Sequence, residues 1–340
     1  MIDDLSRKPE PKIVVLGGGT GSFNVLSALK HESRQISAVV NMVDDGGSSG
    51  KLRDELGALP PGDVRQCLVA LSDAPVFLRE LFNFRFSAGE LAGHSFGNLF
   101  ISALESMSGS FAESIERTAD VLRVSGRVIP VTLENTILEM DIKGEHIVGQ
   151  ANIEMAKFSG SDRPLMMLSP DAAVNPLAEE AIIEADIVIV APGNLYSSLV
   201  PVLLTNGVAE AISNTKAEVL MIANLVNKKY QTNGYKLSDY VEVIGDYLGG
   251  PQHIDSLIYN NNPIPKQLLD KYAAGGEVAV EIDEAEVARL GISTFGAPLV
   301  SSEPVKRSKG DSLMETPRNF IRHDTKALAE AIFAATSWRR

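Results

Sequence analysis

The stretch KIVVLGGGTGSFNVLSALKH, residues 12–31, decides how the rest of the chain reads. Residues 12–16 form a short run rich in β-branched side chains and flanked by glycine, the pattern of a parallel strand buried on both faces. Gly17-Gly18-Gly19-Thr20-Gly21-Ser22 interrupts it, and FNVLSALKH then repeats its apolar positions at helical spacing. A second strand is expected over 36–43, running into Asp44-Asp45-Gly46-Gly47-Ser48-Ser49-Gly50. Strand, glycine loop, helix, strand, acidic glycine loop is how a doubly wound α/β sheet begins.

Downstream, Pro60-Pro61-Gly62 marks a turn, and Asp63 is placed to cap the helix VRQCLVALS, with Gln66 completing a capping box. Across 126–158 the pattern changes to alternation with a turn at Lys143-Gly144, which predicts antiparallel strands inserted into the parallel scheme. A helix over 176–185, a strand over 186–191, a helix through 196–204 and a buried strand over 219–223 follow. Residues 230–250 mix polar and aromatic positions and resist assignment. A last helix is expected over 326–336, capped by Asp324 or Thr325.

At 340 residues the chain can bury one extended α/β core. Its formal net charge of −13 argues against nucleic acid or an anionic membrane surface as the dominant partner, because both are held by neutralising phosphates. The single cysteine, Cys67, rules out an internal disulfide and fits a reducing compartment. The N-terminal MIDDLSRKPEPK lacks an apolar signal-peptide core, and no run is long enough to span a bilayer. A cytoplasmic protein without membrane insertion is expected.

The chemistry should lie in the loops. Glycines at 17–21 let the backbone approach a ligand, and the helix start beyond them attracts an anion; Thr20 and Ser22 add hydroxyls. The dinucleotide fingerprint is incomplete, since Ser22 takes the place of its last glycine, and a ligand-free turn would use the same residues. Asp44 and Asp45 stand where such folds hold an acid against ribose, so sugar hydroxyls, Mg²⁺ or general-base work are open to them. A solvated turn is their bland alternative. Gly46 to Gly50 also matches the G-x-S-x-G elbow of serine hydrolases, with His94 or His323 as base, but no oxyanion segment precedes it. His94 and Asn98 open a further helix, and Asn194, Tyr196, Ser197 and Ser198 follow a strand and glycine turn much as the first loop does. Arg322 is suited to a phosphate, unless it merely pairs with a surface acid. No zinc-ligand spacing is present.

IVVLGGGTG at 13–21 and VDDGGSSGKLRDELGALPPGDVRQCLVAL at 43–71 resemble the YvcK-like branch of the CofD superfamily. GHSFGNL at 93–99, GRVIPVTLE at 126–134, APGNLYSSLVPVLL at 191–204 and RHDTKALA at 322–329 continue the likeness in the same order. Lys51, Ala191, Asn194 and Val202 depart from the usual pattern, as does the Asn224-Leu225-Val226-Asn227-Lys228-Lys229 segment. The resemblance implies a Rossmann-like, three-layer α/β/α sandwich with a mostly parallel sheet. It also implies binding of a UDP-sugar, UDP-N-acetylglucosamine among them, and a link to cell shape, envelope synthesis and gluconeogenic growth. The 2-phospho-L-lactate transferases of the CofD branch instead move a phospholactyl group from a nucleotide diphosphate donor with Mg²⁺.

The combined expectation is one domain over 12–340 after a flexible tail of residues 1–11. Gly18, Gly19, Thr20 and Gly21 would hold a diphosphate, and Asp44 and Asp45 would take hydroxyls or Mg²⁺. Gly47, Ser48, His94 and Asn98 would line the site, with Asn194, Tyr196, Ser197 and Ser198 closing its far side and Arg322 neutralising charge. Asp63 and Arg65 are lesser candidates. The leading reading is a regulator that needs no cofactor and no turnover; a Mg²⁺-dependent transferase using Asp44 and Asp45 is the alternative, and a serine hydrolase the minor one. Thr325, at a helix start near Arg322, is a candidate regulatory phosphosite. A second copy of the chain, envelope-synthesis enzymes and a Ser/Thr kinase are the candidate partners.

Overall fold

The computed structural model describes residues 10–273, 275–301 and 321–338. Of the expected tail, residues 1–9 fall outside that range. Glu10 and Pro11 are held in place: the Glu10 carboxylate accepts from Arg34 N–H at 2.8 Å, and the Pro11 carbonyl accepts from the Ser33 hydroxyl at 2.9 Å.

Among the described residues ten strands run in chain order: β1 (Ile13–Gly17), β2 (Ile36–Val40), β3 (Arg127–Pro130), β4 (Ile137–Ile142), β5 (Glu145–Val148), β6 (Leu165–Ser169), β7 (Ile187–Val190), β8 (Glu218–Ile222), β9 (Ser256–Asn260) and β10 (Ser293–Ala297). Seven form one sheet in the order β10-β9-β8-β7-β1-β2-β3, and every neighbouring pair is parallel. The sheet grows one way from β1 through β2 to β3 and the other way from β7 to β10. The boundary between β1 and β7 is therefore its topological switch point, where doubly wound sheets bind ligands. Ile13 sits opposite Ile36 on one side and Ile187 on the other, and all three are sealed from solvent. Helices cover the sheet, as parallel strands buried on both faces require.

The antiparallel insertion exists, with different membership. Residues 127–130 belong to the main sheet as β3, parallel to β2. The small sheet is β5-β4-β6, so 165–169 completes it. Alternation within 137–148 marked the hairpin correctly, because Leu138, Met140 and Ile142 point inward along β4. The third strand pairs over a long sequence gap, which local pattern does not reveal.

Three local expectations also shift. β2 ends at Val40, three residues earlier than expected, and its last tie to β1 is Asn41 N–H donating to the Gly17 carbonyl at 3.1 Å. Asp63 is no N-cap: the helix Gly62–Leu71 begins after Pro61 without a side-chain cap, and Asp63 lies inside its first turn. The unassigned region holds a helix, Leu237–Leu248, whose start is closed by Asp239 accepting from Lys236 N–H at 2.8 Å. The final helix, Thr325–Ala334, is capped by Asp324 through Ala327 N–H at 2.9 Å.

Candidate functional site

The loops after β1 and β7 touch. A Cβ placed on Gly21 would lie 1.6 Å from the Pro192 carbonyl oxygen, so only glycine lets the two backbones pass this closely. Around this contact lies a cavity of about 520 Å³ above the strand ends. Gly18, Gly19, Thr20, Gly21, Asp44, Gly47, Ser48, Asn98, Asn194, Ser198 and Arg322 line it, which gathers most of the expected site into one space.

Asp45, His94, Tyr196 and Ser197 do not line it. Asp45 Oδ1 instead accepts from Ala151 N–H at 2.7 Å and so latches the helix Gln150–Met155. Asp44 lines the cavity while Asp45 faces the helix Gln150–Met155, so the two acids are used differently. Tyr196 is buried with its hydroxyl 2.7 Å from that of Tyr235, and Ser197 is fully buried beside it. The turn Leu195–Leu199 is a wide helical one, and its geometry sends 194 and 198 toward the cavity and 196 and 197 into the core. His94 stands behind Ser48, with Nδ1 3.2 Å from Oγ. Among the described residues no carboxylate hydrogen-bonds to His94, so the hydrolase reading lacks the acid that orients a catalytic histidine.

Asp63, a lesser candidate on sequence, stands at the centre of the cavity. Its Oδ1 accepts from Gly19 N–H at 3.0 Å, and a Cβ on Gly18 would sit 2.2 Å from its Oδ2. The carboxylate therefore occupies part of the glycine turn that the sequence assigned to a diphosphate. Asp44 comes close from the other side: a Cβ on Gly62 would meet its Oδ2 at 2.3 Å. Burial raises the pKa of Asp63 to about 7, and the neighbouring Asp44 charge adds to the shift against the pull of Gly19 N–H, Asn41 and Arg65. Asp44 is also raised, first by burial and then by Asp45 and Glu154, against hydrogen bonds from Ser49 and Gly46 N–H. The two acids that face the cavity together are thus Asp44 and Asp63, with Asp45 turned to Ala151.

The flank over β8 was also missed. Asn224 clamps the second loop, accepting from Gly193 N–H at 3.0 Å and donating to the Gly193 carbonyl at 2.8 Å. Asn227, Lys228, Gln231, Thr232 and His323 line the cavity beyond it. Asn194 donates to Glu154 at 2.7 Å, and Lys228 Nζ donates to the Glu154 carbonyl at 2.8 Å. Tyr272, buried, holds this edge by accepting from Ile321 N–H at 3.1 Å. Arg322 follows directly, half-buried, and its guanidinium makes no hydrogen bond or ion pair among the described residues. Burial holds the His323 pKa down at about 4, so its ring is neutral at physiological pH. Thr325 lies elsewhere: exposed on the last helix, it lines a separate groove with His31, Lys326 and Phe333.

A family profile described as 2-phospho-L-lactate transferase CofD matches residues 13–300. The chain belongs to the CofD family. Within this family it is 33% identical over 327 residues to the gluconeogenesis factor of Bacillus subtilis, covering 95% of this chain and 97% of that protein. The gluconeogenesis factor of Halalkalibacterium halodurans is 36% identical, with 94% and 95% covered. A crystal structure of a UPF0052 family member from Bacillus halodurans superposes with a TM-score of 0.86 at 34% identity, over 96% of this chain and all of that one. Among the described residues of this CofD-family chain, no helix is long and apolar enough to cross a membrane, and no group of three or more His, Cys, Asp or Glu could hold a metal ion.

Proposed function

We infer that the cavity binds a nucleoside diphosphate derivative, a UDP-sugar such as UDP-N-acetylglucosamine, and that the protein is a cytoplasmic regulator of gluconeogenic growth, cell shape and envelope synthesis. One observation carries this reading. Helix starts on both sides of the switch point meet in a single cavity that also contains Arg322, whose guanidinium has no partner among the described residues. The first amides of a helix have no intrahelical acceptor, and a guanidinium binds phosphate through two parallel bonds. The names of the Bacillus and Halalkalibacterium relatives support the gluconeogenic side.

Calorimetric titration with UDP-N-acetylglucosamine, UDP and GDP tests the reading. The UDP compounds should bind one per chain, and Arg322→Ala should weaken them by about 1.5–3 kcal/mol, the value of a charge-assisted contact. No heat from any of the three would end the nucleotide reading, and an unchanged Arg322→Ala would remove that residue from the site.

The Asp44 and Asp63 pair favours a second reading, a Mg²⁺-dependent phospholactate-type transferase. Two carboxylates beside a phosphate site suit Mg²⁺, which is held by one or two carboxylates, waters and substrate phosphates rather than by an all-protein cage. Bound there, the ion would neutralise charge on the diphosphate oxygens. Incubation with UDP- or GDP-linked donors, Mg²⁺ and acceptor alcohols separates the two readings. Nucleotide release that is lost in Asp44→Asn supports the transferase, and tight binding without product over hours supports the regulator.

A further inference from the structure

One of the protein's own carboxylates stands at the backbone amide where a glycine turn ordinarily seats a phosphate. The helix Gly19–Leu29 opens after Gly18, which has no side chain to cap it. The first amides of a helix lack an intrahelical acceptor, and with the helix dipole they make this end attractive to an anion. Here Gly19 N–H already donates to Asp63 Oδ1 at 3.0 Å.

That contact does more than cap a helix. Asp63 lies in the first turn of its own helix, Gly62–Leu71, where an acid is already favoured by the dipole. Its carboxylate nevertheless crosses to a second helix, whose start is 44 positions away, and the two helices pack against each other. It reaches so far into the turn that a Cβ on Gly18 would lie 2.2 Å from Oδ2. Gly18, Gly19 and Asp63 all line the cavity, so the contact faces the space that a ligand enters. A phosphate can reach Gly19 N–H only by displacing the carboxylate, and until then two negative charges repel each other where burial leaves little water to screen them. Asp44 is committed differently: it accepts from Gly46 N–H at 3.1 Å and from the Ser49 hydroxyl, both on its own loop.

Every anion meets the same obstacle, but not every anion can offset it. Phosphate and pyrophosphate offer only charge. The base and sugar of a nucleotide can also engage the side chains along the rest of the cavity, Asn98, Asn194 and Ser198 among them.

We propose that Asp63 is a specificity-determining residue of the cavity: its carboxylate holds the phosphate position at Gly19 N–H, so that simple anions are turned away and a nucleoside diphosphate enters only by displacing it. The inference rests on the nucleotide reading for the identity of the displacing ligand, and on the contact between Asp63 and Gly19 for the rest.

The test is calorimetric titration of the full chain at pH 8 in EDTA, with inorganic pyrophosphate and with UDP. Asp63→Ala removes the carboxylate and frees Gly19 N–H. It should bind both compounds about tenfold more tightly than the parent or better, the worth of one charge-assisted hydrogen bond. Asp63→Asn loses the charge but keeps an acceptor for Gly19 N–H, so its gain should be smaller. Asp44→Asn removes a charge from the same cavity without freeing that amide, and its gain should also fall short. Equal gains in Asp63→Ala and in either asparagine variant overturn the proposal, because charge alone would then explain them. So does an affinity of Asp63→Ala for pyrophosphate, or for UDP where UDP binds, no higher than the parent's, including pyrophosphate binding too weak to detect in both. Circular dichroism checks the fold of each variant, and Asp63→Ser, which also shortens the side chain, replaces Asp63→Ala if that variant does not fold. If UDP binds neither parent nor variant, the nucleotide reading fails by itself, and the pyrophosphate titrations still decide the role of Asp63.

Discussion

Asp63→Asn makes the most searching test of the acid pair. Asp63 keeps its proton up to a pH of about 7 when folded, whereas its ordinary value is 3.8. The sign follows directly. Between those two values the unfolded chain has lost a proton that the folded chain still holds, so raising the pH favours unfolding. Stability contributed by this group is complete below about pH 4 and falls until about pH 7. At 1.36 kcal/mol per unit the loss is on the order of 4 kcal/mol, large against the typical total for a domain. The residue is 7% exposed, so solvent screening relieves little of it. Asparagine mimics the protonated acid, and its carbonyl oxygen can still accept from Gly19 N–H. Urea unfolding of parent and variant at intervals from pH 4.5 to 8 isolates Asp63 as the difference between the two curves. The variant should match the parent near pH 4.5 and exceed it by several kcal/mol at pH 8. Mg²⁺ at pH 8 should narrow the gap, because a cation stabilises only the ionised acid. A difference that stays flat across this range, or a variant weaker than the parent at pH 8, would refute the reasoning.

Three other outcomes are expected. Gly21→Ala should cost about 3 kcal/mol or more in denaturant unfolding and abolish nucleotide binding, because its Cβ meets the Pro192 backbone and no rotamer relieves the clash; near-parent stability would disprove the close approach of the loops. Asp45→Ala should lose about 1 kcal/mol of stability by freeing Ala151 N–H, while Asp44→Ala should chiefly damage Mg²⁺-dependent ligand affinity; calorimetry showing equal loss of affinity in both would restore the original pairing. Thr325→Glu should leave UDP affinity within about twofold, since that residue lines a different groove, and a larger change in the titration would tie the two sites together.

Much of the fold was legible because its signals are local. The β-branched runs at 13–17 and 187–190, each closed by glycine and followed by helical spacing, fix strand and helix without reference to anything distant. The hairpin of β4 and β5 announced itself by alternation and the turn at Lys143-Gly144. β3 was misplaced because four residues carry too little pattern to separate a buried parallel strand from a neighbouring hairpin. The helix Leu237–Leu248 was passed over because polar residues alternate closely with its apolar ones, and its two tyrosines, Tyr240 and Tyr247, turn out to pack against the core.

The site divides the same way. Sequence alone placed the glycine turns and the acids at strand exits of one doubly wound sheet, whose exits all face one edge. Tertiary structure alone decided which of them meet. Gly19 and Asp63 are 44 positions apart, and only the packing of the helix Gly62–Leu71 against the helix Gly19–Leu29 and β2 turns a presumed helix cap into an acid on the glycine turn. Asp44 and Asp45 are neighbours along the chain, yet Ala151 N–H takes the Asp45 carboxylate while Asp44 lines the cavity, so adjacency in sequence became separation in space.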